Sequence, residues 1–336
     1  MREDGISPAG ADGAMPHTVA CVGVGLIGAS WAAVFLAGGL EVVATDIDPG
    51  VWNGAVAAIE RDLEDLGRIG PVAAGWRGRL RFEPSLEAAV ADADFIQENG
   101  PESLPVKQAL LQRLDRATRA DAIISSSTSG ISITRMQGGC RRPGRCIVGH
   151  PYTPVHLVPL VEIVGGALTD AETVSRAAAF YRALGKTVVE VHQDVPGFIG
   201  NRFQAVVLQE ALSLVRSGVA TVEEVDRAFT EGPGLRWALY GPFALAAFSA
   251  GSKGLSAALH HYHANRDEVL NSIERVQVNE ALIRKIEDET AHAPTFQNVD
   301  KALHTRNEDL IKLRLALDAT RPTYGEVGGK VRLKRM

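Results

Sequence analysis

The chain has 336 residues, 46% of them hydrophobic, enough to fill two cores of ordinary size, since single domains usually run to about 100 to 200 residues. A formal net charge of −5 lacks the concentrated basic field that phosphate backbones require, so no nucleic-acid partner is expected. Only Cys21, Cys140 and Cys146 are present, an odd count without paired spacing, which argues against a disulfide framework or a thiolate zinc site and suits a cytoplasmic location.

Residues 1–16 are rich in Gly, Ala and Pro and read as a disordered tail. The stretch from Thr18 to Leu40 carries no charged side chain and is long enough to raise a membrane reading. Glycines interrupt it, Glu3, Asp4 and Asp12 precede it, and Glu41 follows at once. Those flanks suit neither a signal peptide nor an anchor. A buried parallel strand joined to a buried helix gives the same apolar run, so no membrane partner is expected.

From Thr18 onward TVACVGVG, IGASWAAVFLA, EVVATDID and VWNGAVAAIERDLEDLG alternate short apolar runs with longer amphipathic ones, a βαβα pattern. DADFIQEN, DAIISSSTS, RCIVGHP, PLVEIVG and KTVVEVHQ are further Val- and Ile-rich runs, giving a sheet of about eight strands, mostly parallel. After Gln193 the strand signals cease, and a helix opens with Phe203, Val207, Ala211 and Leu214 on one face. Thr221 to Glu224 forms a capping-box pattern, and the segments after Ser252 read as polar-amphipathic helices. The expected architecture is α/β: a Rossmann-type, mostly parallel sheet domain over 17–193, an all-α domain over 194–325, and a basic tail over 326–336.

Gly23-x-Gly25-x-x-Gly28 lies between an apolar strand and an apolar helix. In that context the first glycine permits a tight turn, the second lets backbone approach a pyrophosphate, and the third allows close helix packing. Helix N-terminal amides then meet the phosphate charge. Asp46 ends the next strand, where a carboxylate accepts the ribose hydroxyls of NAD and repels the extra phosphate of NADP. The alternative is that Asp46 and Asp48 merely open a turn with Pro49.

Oxidising an alcohol carbon requires a base for the hydroxyl proton, and histidine has a suitable pKa. His150 closes the strand RCIVGH, and Glu162 interrupts the apolar strand VPLVEIV, where an ionised carboxylate is costly without a partner. Such a pair would fix the imidazole tautomer and stabilise the imidazolium. A lone buried histidine or glutamate is more often structural. The combination with Ser129 in SSSTSG and Asn201 in PGFIGNR, short polar groups able to grip a substrate oxygen, favours chemistry.

GVGLIG, DADFIQENGPESLPVK, SSSTSG, GHPYTPVHLVPLVEIVGG and PGFIGNR together resemble the L-3-hydroxyacyl-CoA dehydrogenase superfamily, in its order and at its spacing, from about Thr18 to Phe243. The resemblance implies His150 as base, Glu162 as its partner, Ser129 and Asn201 as substrate-oxygen ligands, and Glu102 with Lys107 near the nicotinamide ribose of NAD. With them go Leu26, Ile27, Ser127 and Thr153 as cofactor-side residues. It also implies a helical C-terminal domain that forms a homodimer. FIQENGPE, SSSTSG and GPGLRWALYGPF resemble the branch acting on free hydroxy acids, carnitine and L-gulonate among them, with acyl-CoA as the alternative substrate class. An NAD-binding sensor without turnover is the non-enzyme alternative. Thr153 stands where most relatives carry Asn, after Tyr152. Its single short hydroxyl either forgoes the hydrogen bond an Asn would make to nicotinamide or substrate, or makes it through water.

Arg236 would present a planar fork to a substrate carboxylate, or else form an ordinary salt bridge. Trp237, Tyr240 and Phe243 beside it could hold a quaternary ammonium on aromatic faces, or be core packing. His260, His261 and His263 invite a metal reading, but neighbouring helix positions point different ways, and a solvated face is expected.

Overall fold

A computed structural model describes residues 15–262 and 267–320. The described residues form two compact units, one ending at Asn201 and the other beginning at Arg202. Residues 1–14 of the tail expected over 1–16, and the tail expected over 326–336, lie outside the described residues, as do His263 and the side chain of His261.

The first unit holds eight strands, seven of them from the apolar runs: β1 (Thr18–Val22), β2 (Glu41–Thr45), β3 (Leu80–Phe82), β4 (Phe95–Glu98), β5 (Ile123–Ser126), β6 (Cys146–Pro151), β7 (Leu160–Gly165) and β8 (Thr187–Val191). They form one sheet in the order β3-β2-β1-β4-β5-β6-β7-β8. Every neighbouring pair is parallel except β6 and β7. The strand β3 has no counterpart in the expected set. Its three residues are only half covered at the sheet edge, too short for a period to register.

The central strands are buried and mostly apolar because both faces are covered. Helices α1 (Leu26–Ala37), α2 (Trp52–Ile69), α3 (Leu104–Ala117) and α4 (Ala171–Ala183) do the covering. Val19 and Cys21 of β1 join Trp31, Phe35, Ile59 and Phe180 in one core, while Ala20 and Val22 join Leu111 and Leu114 in the other. The uncharged stretch from Thr18 thus divides into a central strand and a helix buried from Gly28 to Leu36. None of the described helices is long and apolar enough to cross a membrane.

Helix α5 (Gly200–Arg216) leads into the second unit, which continues with α6 (Val222–Phe229), α7 (Pro242–Ser249), α8 (Gly254–Tyr262), α9 (Glu280–Thr290) and α10 (Val299–Thr320). The capping box at α6 is formed: Glu224 N donates to Thr221 Oγ1 at 3.3 Å and Thr221 N donates to Glu224 Oε2 at 2.9 Å. Between α6 and a turn at Leu235–Trp237 lies a π-helical stretch, Thr230–Gly234, broken by Gly232 and Pro233. The expected inner face of α5 is poorly covered. Phe203 is 58% exposed, and the side chains fully buried on this helix are Ser213 and Val215.

Candidate active site

The glycine loop leaves β1 and enters α1. Gly23 has φ 84°, in the left-handed region, and a Cβ there would come 2.9 Å from the carbonyl oxygen of Asn99. A Cβ at Gly28 would sit 1.8 Å from Gly23 O, so helix and loop touch backbone to backbone. Gly25, which caps α1, has no protein atom within 4 Å of where a Cβ would stand. This is the arrangement a pyrophosphate needs: amides at a helix N-terminus and open space in front of them. Leu26 is 80% exposed at the mouth of this space.

Asp46 does two jobs at once. Val24 N donates to its Oδ2 at 2.9 Å, and Asp48 N donates to its Oδ1 at 3.1 Å. The carboxylate therefore braces the glycine loop and starts the turn into Pro49, while each oxygen keeps a lone pair for a ribose hydroxyl. The turn reading and the cofactor reading are both compatible with this geometry.

Beside the loop lies a recess of about 170 Å³ lined by Ile27, Asn99, Gly100, Glu102, Lys107, Ser127 and Ser129. Lys107 is buried, and its ammonium donates to both oxygens of Glu98, at 2.9 and 3.0 Å, and to Gly100 O at 3.1 Å. Its three protons are thereby used, and Glu102 stands 3.8 Å away. The expected Glu102 and Lys107 are thus part of a trio centred on Lys107, whose nearer partner is Glu98, a residue that sequence reasoning misses. An acidic residue ending a fully buried strand is the signal that could have found it. Glu102 instead accepts from Thr128 Oγ1 at 2.7 Å and Ser129 N at 3.0 Å. Ser127 Oγ accepts from Trp31 Nε1 and Gln97 Nε2 and donates to Asn99 Oδ1, so its hydrogen-bonding capacity is spent on the protein.

His150 and Glu162 sit directly opposite each other in the antiparallel ladder of β6 and β7. Both are buried, and His150 Nδ1 lies 2.9 Å from Glu162 Oε2. A carboxylate can only accept here, so Nδ1 carries the proton and Nε2 presents a lone pair. Tyr152 donates to the same Oε2 at 3.2 Å, and the amides of Ile199 and Gly200, entering α5, donate to Oε1 at 2.9 and 3.0 Å. Burial resists the charge on Glu162, but the bonds from His150, Gly200 and Ile199 outweigh it and hold the carboxyl below its ordinary range. The imidazole is flanked by the rings of Tyr152 and Phe198, at 4.9 and 5.5 Å between centroids. Phe198 adopts φ 49°, a conformation uncommon outside glycine that the buried ring fixes.

Ser129 and Asn201 are brought together: Asn201 Nδ2 donates to Ser129 O at 2.8 Å. Among the described residues the Ser129 hydroxyl has no protein partner. Strand register places the chain leaving β5, Ser127 to Ser129, alongside Gly149 and His150, since Ser126 pairs with Val148. Thr153 is exposed. Arg236 and Trp237 belong to the second unit. Arg236 is exposed and, among the described residues, has no ion pair. Trp237 packs edge-on against Phe229 at 5.7 Å, and Tyr240 against Phe248 at 5.0 Å, while Phe243 is 71% exposed. Among the described residues no cluster of His, Cys, Asp and Glu could hold a metal ion.

A doubly wound sheet with this glycine loop and acidic strand end defines an NAD-dependent oxidoreductase. Residues 18–195 match the 3-hydroxyacyl-CoA dehydrogenase NAD binding domain, and residues 197–291 match the C-terminal domain of the same enzymes. The chain belongs to the 3-hydroxyacyl-CoA dehydrogenase family. It is 40% identical over 302 residues to an L-carnitine dehydrogenase of Nocardiopsis dassonvillei, covering 90% of this chain and 92% of the relative. Against an L-carnitine dehydrogenase of Streptomyces coelicolor the identity is 46% over 244 residues, 73% of this chain and 77% of the relative. Among solved structures, a 5-formyl-3-hydroxy-2-methylpyridine 4-carboxylic acid 5-dehydrogenase, an NAD-dependent dismutase, superposes with TM-score 0.78 at 28% identity, over 92% of this chain and 100% of that one. An (S)-3-hydroxybutyryl-CoA dehydrogenase from Ralstonia eutropha superposes with TM-score 0.60 at 27% identity, over 82% and 88%.

Proposed function

We propose that the protein oxidises the secondary alcohol of a small free L-3-hydroxy acid, L-carnitine foremost, with His150 as general base. The observation that carries this reading is the buried contact of His150 Nδ1 with Glu162 Oε2 at 2.9 Å, which leaves Nε2 basic. His150 Nε2 takes the hydroxyl proton as the carbinol C–H bond breaks. Glu162 balances the imidazolium charge, and its own ionised state is secured by the two amides at the start of α5. Bound NAD supplies the acceptor for the hydride that leaves the carbon.

In this reading Ser129 and Asn201 hold the substrate oxygen, each keeping a polar group uncommitted. Gly23, Gly25, Leu26, Ile27 and Gly28 would hold the cofactor, Asp46 would accept the adenosine ribose hydroxyls, and Glu102 would stand on the nicotinamide side. Lys107 and Ser127 shape that recess through Glu98 and Asn99, and the exposed Thr153 would meet the cofactor directly or through water. Arg236 takes the substrate carboxylate. Its lack of an ion pair among the described residues favours this over a structural bridge. Trp237 offers an aromatic face to the trimethylammonium group. We also infer a sheet domain over 17–193 and a helical domain over 194–325 that forms a homodimer, working in the cytoplasm, with all three cysteines free.

The test is initial-rate measurement with NAD against L-carnitine, L-gulonate, 3-hydroxybutyrate and 3-hydroxybutyryl-CoA. L-Carnitine should give the highest kcat/KM, and Arg236→Ala should raise its KM far more than that of its methyl ester. Faster turnover of the acyl-CoA would overturn the free-acid reading. Equal losses on acid and ester would overturn the role of Arg236. Tight NADH binding without turnover of any of the four would make the protein a sensor.

A further inference from the structure

We propose that Tyr152 is a positioning residue for the pair His150–Glu162, lowering the basicity of His150 by competing for the carboxylate oxygen that His150 uses. This inference rests on the reading of His150 as the base. Both Tyr152 and His150 donate to Glu162 Oε2, at 3.2 and 2.9 Å. The other oxygen is occupied by Ile199 N and Gly200 N, so the carboxylate serves four donors. Two donors on one oxygen share its charge, and the imidazolium is stabilised less than it would be by Oε2 alone.

The hydroxyl is held where it is. A Cβ at Gly200 would lie 1.8 Å from Tyr152 Oη, so the phenol abuts the first turn of α5. The ring lies edge-on to the imidazole, 61° between planes. Burial, the charge of Glu162 and the bond to it, only partly opposed by the amide of Asn201, raise the phenol above its ordinary range, so Tyr152 stays a donor at every pH where the imidazole titrates. The titratable groups facing the imidazole are Glu162 from β7 and Tyr152 from the end of β6. The chain entering α5 contributes the apolar ring of Phe198 and two neutral amides.

Replacing Tyr152 by Phe keeps the ring and deletes one hydrogen bond. Glu162 Oε2 then serves His150 alone, the imidazolium is favoured, and the titration midpoint of His150 should rise by about 0.5 to 1 unit, a roughly 3- to 10-fold gain in proton affinity. The measurement is an NMR titration of the His150 ring in the intact protein, its signals identified by their loss in His150→Gln, with thermal melts confirming that each variant folds. Incorporating 3-fluorotyrosine at position 152, a stronger donor of the same shape, should move the midpoint the other way. In a Glu162→Gln background, Tyr152→Phe should leave the midpoint where it is. An unmoved or falling midpoint in folded Tyr152→Phe overturns the proposal, as does an equal rise in the Glu162→Gln background. Full turnover in His150→Gln would remove the reading of the base, and this proposal with it. Lost turnover in His150→Gln beside an unmoved midpoint in Tyr152→Phe would defeat the role of Tyr152 alone.

Discussion

Two buried histidines stand close in sequence and are held differently. His156 has both ring nitrogens engaged: Nδ1 with Asp62 at 3.0 Å and Ser30 at 2.9 Å, Nε2 with Asp65 at 3.2 Å. It ties the connection after β6 to α1 and α2, and no nitrogen is left for a ligand. His150 has one nitrogen committed to a carboxylate and, among the described residues, one without a hydrogen-bond partner, the condition for moving a proton. His150→Gln should therefore lower kcat by about two to four orders of magnitude, as loss of a general base does, with NADH affinity, read by fluorescence titration, nearly unchanged. Turnover within a factor of about two of wild type would take the proton chemistry away from this residue.

At the scale of elements, what is legible in the sequence is local. The glycine loop can be read because two of its constraints lie within six residues, the left-handed φ of Gly23 and the contact of Gly28 with Gly23 O; the backbone of Asn99 that also crowds Gly23 is remote in sequence. Gly28→Ala should accordingly cost on the order of 3 kcal/mol or more, since the new methyl meets a carbonyl rather than a mobile side chain. A calorimetric melt lowered by roughly 6 to 12 °C would register this. A melt unchanged within a degree would mean that loop and helix are not in rigid contact. What is illegible is non-local. Glu162 can be singled out as a charge in an apolar strand, but the reversal of β7 against β6 that sets it opposite His150 leaves no mark in either segment. The partner of Lys107 escapes for a related reason. Glu102 lies closer along the chain, yet Glu98, at the end of β4, is the one a lysine on α3 reaches. Tyr152 reads as no more than an aromatic neighbour of Thr153, because its hydroxyl acquires a role only through the Glu162 side chain across the ladder.

For the whole molecule, the second unit carries an excess of uncovered apolar side chains. Phe203, Leu235, Phe243 and Phe248 are 58, 63, 71 and 59% exposed, apolar surface that supports the proposed homodimer. Light scattering across a dilution series should give twice the chain mass, and a Phe243→Glu variant should dissociate. A monodisperse monomer at micromolar concentration would contradict the homodimer. The turnabout between β6 and β7 has a further consequence for how this chain can vary. Because partners across a ladder are chosen by pleat parity, twelve positions of separation carry no chemical meaning of their own. A one-residue insertion or deletion inside either strand would turn that strand's member of the pair to the opposite face and part the acid from the imidazole. Lineages descending from this sequence can therefore change the lengths of these strands only at the cost of the dyad.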